Sequence, residues 1–224
     1  MASHARLAFT RNCGDIDRLL AIHTEQAGDG PGRKWQVEAL HKSAIVLLTA
    51  FWEAFCEDLA AEALQHLVKH ADDVVTLPKA LRQRVAKELK ENKNELALWG
   101  LAGNGWRDVL TDRLDRLQET RNRALNTPKT RQINQLFDET VGIEGVSSSW
   151  YWPGMSAQRA GAKLDEYIVL RGAVAHRGAA ADSIKKSHVT AYYTHVKRLI
   201  GRTDSHVATN IERVSGVEPW PDGA

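Results

Sequence analysis

The residues best suited to chemistry are Arg171 and His176, an arginine and a histidine separated by four residues in the run Arg171-Gly172-Ala173-Val174-Ala175-His176-Arg177-Gly178. An imidazole with an unperturbed pKa of about 6.5 takes up or gives back a proton at cellular pH. A guanidinium forks onto two phosphate oxygens and offsets charge that builds in a transition state. Together they suit RNA cleavage in which the ribose 2′-hydroxyl attacks the adjacent phosphorus, a route that needs no metal and that DNA, lacking the hydroxyl, resists. On an ideal helix five positions leave the two residues about 140° apart. One copy therefore does not easily bring both onto one ligand atom unless the helix loosens near Gly178. Two copies packed about a twofold axis would present two arginines and two histidines to one cleft.

Other candidates surround this pair. Glu53 and Glu57, four apart, can contribute to the cleft or orient the arginine; they can equally be solvated or bridged to a basic neighbour. Arg177, Lys185 and Lys186, with His188 beyond them, lie close to the motif and can track an RNA backbone, although such clusters are usually solvated helix ends. The same plain reading holds for Arg121, Arg123, Lys129 and Arg131. For Arg171 and His176 themselves the plain reading is positive charge offsetting the carbonyl end of a helix. Trp150, Tyr151 and Trp152 are able to stack bases, but large aromatics in a loop more often pin it to the core, and pinning is the reading favoured.

Composition narrows the field without choosing a function. A hydrophobic share of 43% with 26% charged residues marks a chain that folds. A formal net charge of +2 permits contact with nucleic acid and does not by itself argue for it. The two cysteines, Cys13 and Cys56, are too few for a disulfide framework or a thiolate zinc site, and Cys56 lies in an apolar helical pattern where a buried thiol is common. The histidines show no metal-ligand grouping, even though His66 and His70 are four apart, so no metal and no cofactor are expected. The run Gly100 to Gly105 lacks the lysine and preceding strand of a phosphate loop and reads as a helix break. Met1 to Thr10 has no apolar core of signal-peptide length, and no window approaches a membrane span; a cytoplasmic, membrane-free protein is the expectation.

The elements that must position the motif are helices. Leu7 to His23 is amphipathic and ends at the Gly28–Gly32 cluster. From Trp35 to Lys69 apolar residues recur at three-and-four spacing, and between Ala44 and Phe55 they run almost all round, so neighbours pack on more than one side. Pro78 sits where a first helical position is expected, with Leu81, Val85 and Leu89 following. Trp106 to Leu125 reads as helix after a turn. Thr127 then serves as cap and Pro128 as first position of another helix carrying Ile133, Leu136 and Phe137. Gly142 to Gly154 is a loop with aromatic anchors. Ser156 to His176 is helical, and the last helix starts at Asp182, with Asp182 or Ser183 as cap. The tail after Gly216 is expected to be loosely held.

The segment from His41 to Leu59 resembles the long core helix of RiboL-PSP-type domains in the HEPN superfamily. So do residues 126–143, the Tyr151-Trp152 pair, residues 171–178 and residues 184–200. The resemblance spans roughly residues 35–200. It implies an all-α helical bundle with additional N-terminal and connecting helices in a single domain: a core of about 35–201, an N-terminal helix and loop over 1–32 and a C-terminal extension over 202–224. It also implies a homodimer formed through the motif helices, with Arg171 and His176 as the catalytic pair of a metal-independent endoribonuclease of toxin or phage-defence type. Gly172 departs from the family, which usually carries a polar residue there. The alternatives are a weakly active or inactive module that binds RNA or a partner protein, and a chain silenced by a co-encoded nucleotidyl-transferase antitoxin.

Overall fold

The computed structural model describes residues 2–27, 37–124, 127–177 and 183–220. Within them the chain forms α1 (His4–Ala27), α2 (Glu38–His70), α3 (Lys79–Lys90), α4 (Trp106–Ala124), α5 (Thr130–Val141), α6 (Ala157–Arg177) and α7 (Lys186–Ser215), joined by short 3-10 segments. No strand occurs among the described residues. This is the all-α architecture that the periodicity predicts.

α2 is the axis of the bundle, touched by α1, α4, α5, α6 and α7. Its sequence explains why. Ile45, Leu48, Trp52, Phe55, Cys56, Leu59, Leu64 and Leu67 are all buried, and they point in several directions around the helix, so removing them from water requires partners on several sides. Trp52 shows how tightly the layers join. Its ring stacks on Phe55, meets Trp150 edge-on at 5.8 Å, and its Nε1–H donates to the Pro128 carbonyl at 3.2 Å.

Three helix starts differ from the sequence reading, each for a tertiary reason. Pro78 is the residue before α3, held extended at ψ 133°, and Lys79 opens the helix. α5 begins at Thr130 and not at Pro128, because its cap comes from another helix: the Thr130 N–H donates to Asp165 Oδ1 at 2.8 Å, and the Thr130 hydroxyl reaches the same oxygen and the Gly161 carbonyl. A Cβ on Gly161 would come within 2.9 Å of Thr130 Oγ1, so the missing side chain lets α5 and α6 approach. α7 begins at Lys186, three residues past Ser183; Asp182 lies outside the described residues. The delay follows from Ile184, which is buried before the helix starts and whose carbonyl lies 2.7 Å from His41 Nδ1.

The C-terminal end also differs. α7 runs on to Ser215, burying Thr203, Asp204, Val207 and Ile211. Gly216 caps it with φ +71°, and beyond it Pro219 and Trp220 are buried, so that part of the tail packs onto the fold instead of hanging loose. Asp204 is engaged by Ser3 and Arg6, which ties the start of α1 to this end of α7.

Candidate functional site

α6 is seated by Ala160, Leu164, Ile168 and Val174, all buried. Residues four apart on a helix lie one above the other, so Lys163, Tyr167 and Arg171 form a second stripe beside the buried one. The α6 backbone is regular through Arg177. The loosening that would bring Arg171 and His176 together within one copy therefore does not occur before Arg177, and the separation of about 140° around the axis stands. The side chains of His176 and Arg177 lie outside the described residues.

Arg171 is half-buried, and its Nε is shut off from water with no hydrogen-bond partner among the described residues. Glu53, on the facing side of α2, is within its electrostatic reach. Burial pushes the Glu53 carboxyl above the ordinary carboxylate range, and the Arg171 charge pulls it partly back. Among the described residues the two do not close into an ion pair. Tyr192 of α7 completes the surroundings. Its hydroxyl lies 3.0 Å from Thr49 Oγ1, its ring stacks on Tyr167 at 4.2 Å, and burial pushes its phenol well above the usual value. Glu57 sits one turn along α2 beside Cys56, a fully buried thiol that burial and then the two glutamates push up.

The other expected residues distribute unevenly. Lys185 and Lys186 are exposed at the start of α7, and Lys186 Nζ donates to Thr24 Oγ1 of α1 at 2.9 Å. Lys129 and Arg131 lie at the start of α5, whereas the side chains of Arg121 and Arg123 lie outside the described residues. Of the three loop aromatics only Trp150 is a full anchor, buried and donating to Thr203 Oγ1 at 2.8 Å. Tyr151 is 59% exposed, which corrects the reading that this run pins the loop throughout.

Four contributors were not singled out from the sequence: Lys163, Tyr167, His195 and Arg198. His195 is buried, with Nε2 3.0 Å from the Ala160 carbonyl and its ring edge-on to Trp152 at 5.6 Å. Burial pushes its pKa down to about 4, the charges of Lys163 and Arg198 push the same way, and the carbonyl acceptor opposes them. Lys163, His195 and Arg198 line a groove of about 630 Å³ together with Trp152, Lys186 and Thr190, and Tyr167 packs against the His195 ring beside it. The four-residue spacing of Lys163, Tyr167 and Arg171 was the one signal available beforehand. No cluster of three His, Cys, Asp or Glu able to hold a metal occurs among the described residues, and no helix there is long and apolar enough to cross a membrane.

A bundle wrapped around one buried helix, with an arginine-to-histidine motif near the end of a peripheral helix, defines a HEPN-type class of fold. The family model for RiboL-PSP-HEPN matches residues 11–209, and the chain belongs to that family. No curated protein and no solved structure matches it.

Proposed function

We propose that the protein is a metal-independent endoribonuclease that works as a cytoplasmic homodimer, in the manner of a toxin or phage-defence effector held in check by a co-encoded partner. The observation that carries this reading is the Arg171 Nε, buried without an acceptor among the described residues. An unsatisfied buried donor costs about 1–3 kcal/mol, and a phosphate oxygen is the acceptor a guanidinium fits best. In the reaction His176 takes the proton of a ribose 2′-hydroxyl, O2′ attacks phosphorus, and the bond from phosphorus to O5′ breaks. A second acid, His176 of the other copy, gives a proton to O5′. The products are a 2′,3′-cyclic phosphate and a 5′-hydroxyl. Arg171 offsets the charge on the phosphorane oxygens, and Glu53 positions Arg171 without neutralising it.

Dimerisation through α6 has support in its outer face. Val169 is 59% exposed there, and Gly172, three residues further on, has open space where a Cβ would be. A second reading, a binding module without turnover, is favoured by the same Gly172, where no side chain can orient substrate. Incubating a mixed RNA pool with chelator separates the two. The expected result is cyclic-phosphate 3′ ends with the parent chain and none with Arg171→Ala or His176→Ala. Equal inertness of three folded dimers would establish the binding module instead.

A further inference from the structure

The groove along α7 is a site of its own, and its composition indicates what it holds. Lys186, Thr190, Thr194 and Arg198 all line it and are spaced four apart, so they form one ridge that runs obliquely over about 18 Å of the helix. Lys163 of α6 and Trp152 of the preceding loop form the opposite wall. No carboxylate lines it. Among the described residues Lys163, Lys186, Arg198 and the neighbouring Arg202 take part in no ion pair. Cations left unneutralised in a concave surface raise the local concentration of an anion.

Planar groups distinguish among anions. The Arg198 guanidinium lies 5.5 Å from the Trp152 ring centre, and that of Arg202 lies 5.2 Å from Tyr151. Aromatic and guanidinium planes beside a cationic track are what an unpaired polynucleotide uses, since every base has a face to stack while phosphates meet the charges. An acidic peptide would use the charges and leave the planes idle. The track also leads somewhere: Lys163 begins the α6 stripe that continues through Tyr167 to Arg171, about 12 Å further along the helix.

We infer that this groove, walled by Trp152, Lys163, Lys186 and Arg198 with Tyr151 and Arg202 at its outer end, binds single-stranded RNA and feeds it toward Arg171. The destination rests on the endoribonuclease reading; the binding does not. The test is therefore anisotropy of a labelled 2′-O-methyl oligouridine, which cannot be cleaved by O2′ attack, titrated with the full chain at several salt concentrations. Each phosphate contact with a single strand contributes about 0.7 to the slope of log affinity against log salt, so Lys163→Gln with Arg198→Gln should flatten that slope by about 1.4. Tyr151→Ala, at an exposed position, should weaken binding roughly tenfold by removing one stacking surface. Arg171→Ala should abolish cleavage of ordinary RNA while the groove still binds the methylated strand.

Unchanged affinity and slope in the groove variants would overturn the inference. So would poly-glutamate binding as tightly as the RNA, which would reassign the groove to an acidic protein segment. Loss of dimer in sedimentation with RNA affinity unchanged would reassign it to a contact between copies. An inert parent chain that still binds through the groove would remove the nuclease reading and leave this one standing.

Discussion

α2 buries side chains around most of its circumference, whereas α6 buries one stripe and carries cations on the face next to it. The two helices touch, and the difference between them separates stability from chemistry. On α2 most buried side chains are apolar and the Trp52 indole N–H donates to a carbonyl, with His41 Nε2 an exception that is buried without a partner among the described residues. On α6 the Arg171 Nε is left without a partner among the described residues, at a place where a hydrogen bond would have been stabilising. A buried donor left open costs stability, and a bound acceptor would recover that cost.

The greatest loss is expected at Trp52. Its side chain is fully buried between Phe55 and Trp150, and truncating a core tryptophan to alanine should cost about 3–5 kcal/mol. Urea unfolding should show the midpoint of Trp52→Ala falling sharply, while Val169→Ala on the outer face of α6 stays within about 0.5 kcal/mol of the parent. A similar loss at both positions would mean that α6 is as much scaffold as α2.

The next effect belongs to His195, which joins the core to the groove. Its ring is faced by Trp152 from the loop, by Lys163 and Tyr167 from α6 and by Arg198 from its own helix. Burial, helped by those two cations, lowers its pKa from 6.5 to about 4. Between those values the unfolded chain binds the proton and the folded chain does not, so stability is full above pH 6.5 and is lost as pH falls toward 4. The shift corresponds to roughly 3 kcal/mol. Thermal melts at stepped pH should show a fall in Tm across that window that is shallower in His195→Gln, since glutamine does not titrate there. Identical slopes would place the acid sensitivity elsewhere, in the carboxylates.

How much of this was legible beforehand follows the same division. The position and extent of α2 could be read because an apolar pattern of that length has only one helical solution, and Ile45 to Leu67 lie where the periodicity puts them. The starts of α5 and α7 could not, since Thr130 is capped by Asp165 and Ile184 is tied to His41 by hydrogen bonds spanning 35 and 143 residues. The motif at Arg171 stood out by residue type. Of its surroundings Glu53 was a candidate by residue type, whereas Tyr192 and Tyr167 were not, because they meet Arg171 only once α2, α6 and α7 are packed. Likewise nothing local distinguishes His195, buried against Ala160, from the exposed His188 on the same helix. Trp150 and Tyr151 are neighbours in sequence with opposite fates, and only the position of Thr203 decides which of them is the anchor.

Gly172 gives the smallest effect and the sharpest use of the comparison. It lies inside α6, where glycine costs about 1 kcal/mol relative to alanine through backbone entropy. In a single copy, a Cβ built there meets nothing within 4 Å. Gly172→Ala should therefore raise the stability of the dilute, monomeric chain by about 0.5–1 kcal/mol. Position 172 also lies one turn from the exposed Val169, on the face of α6 through which two copies are proposed to meet. A methyl group added there should hold two helices apart, so the same variant should dimerise more weakly in sedimentation equilibrium and cleave RNA more slowly despite folding more stably. Higher stability with unchanged dimerisation would remove this face from the contact, and two histidines could then no longer be brought to one phosphate by pairing α6 with its mate.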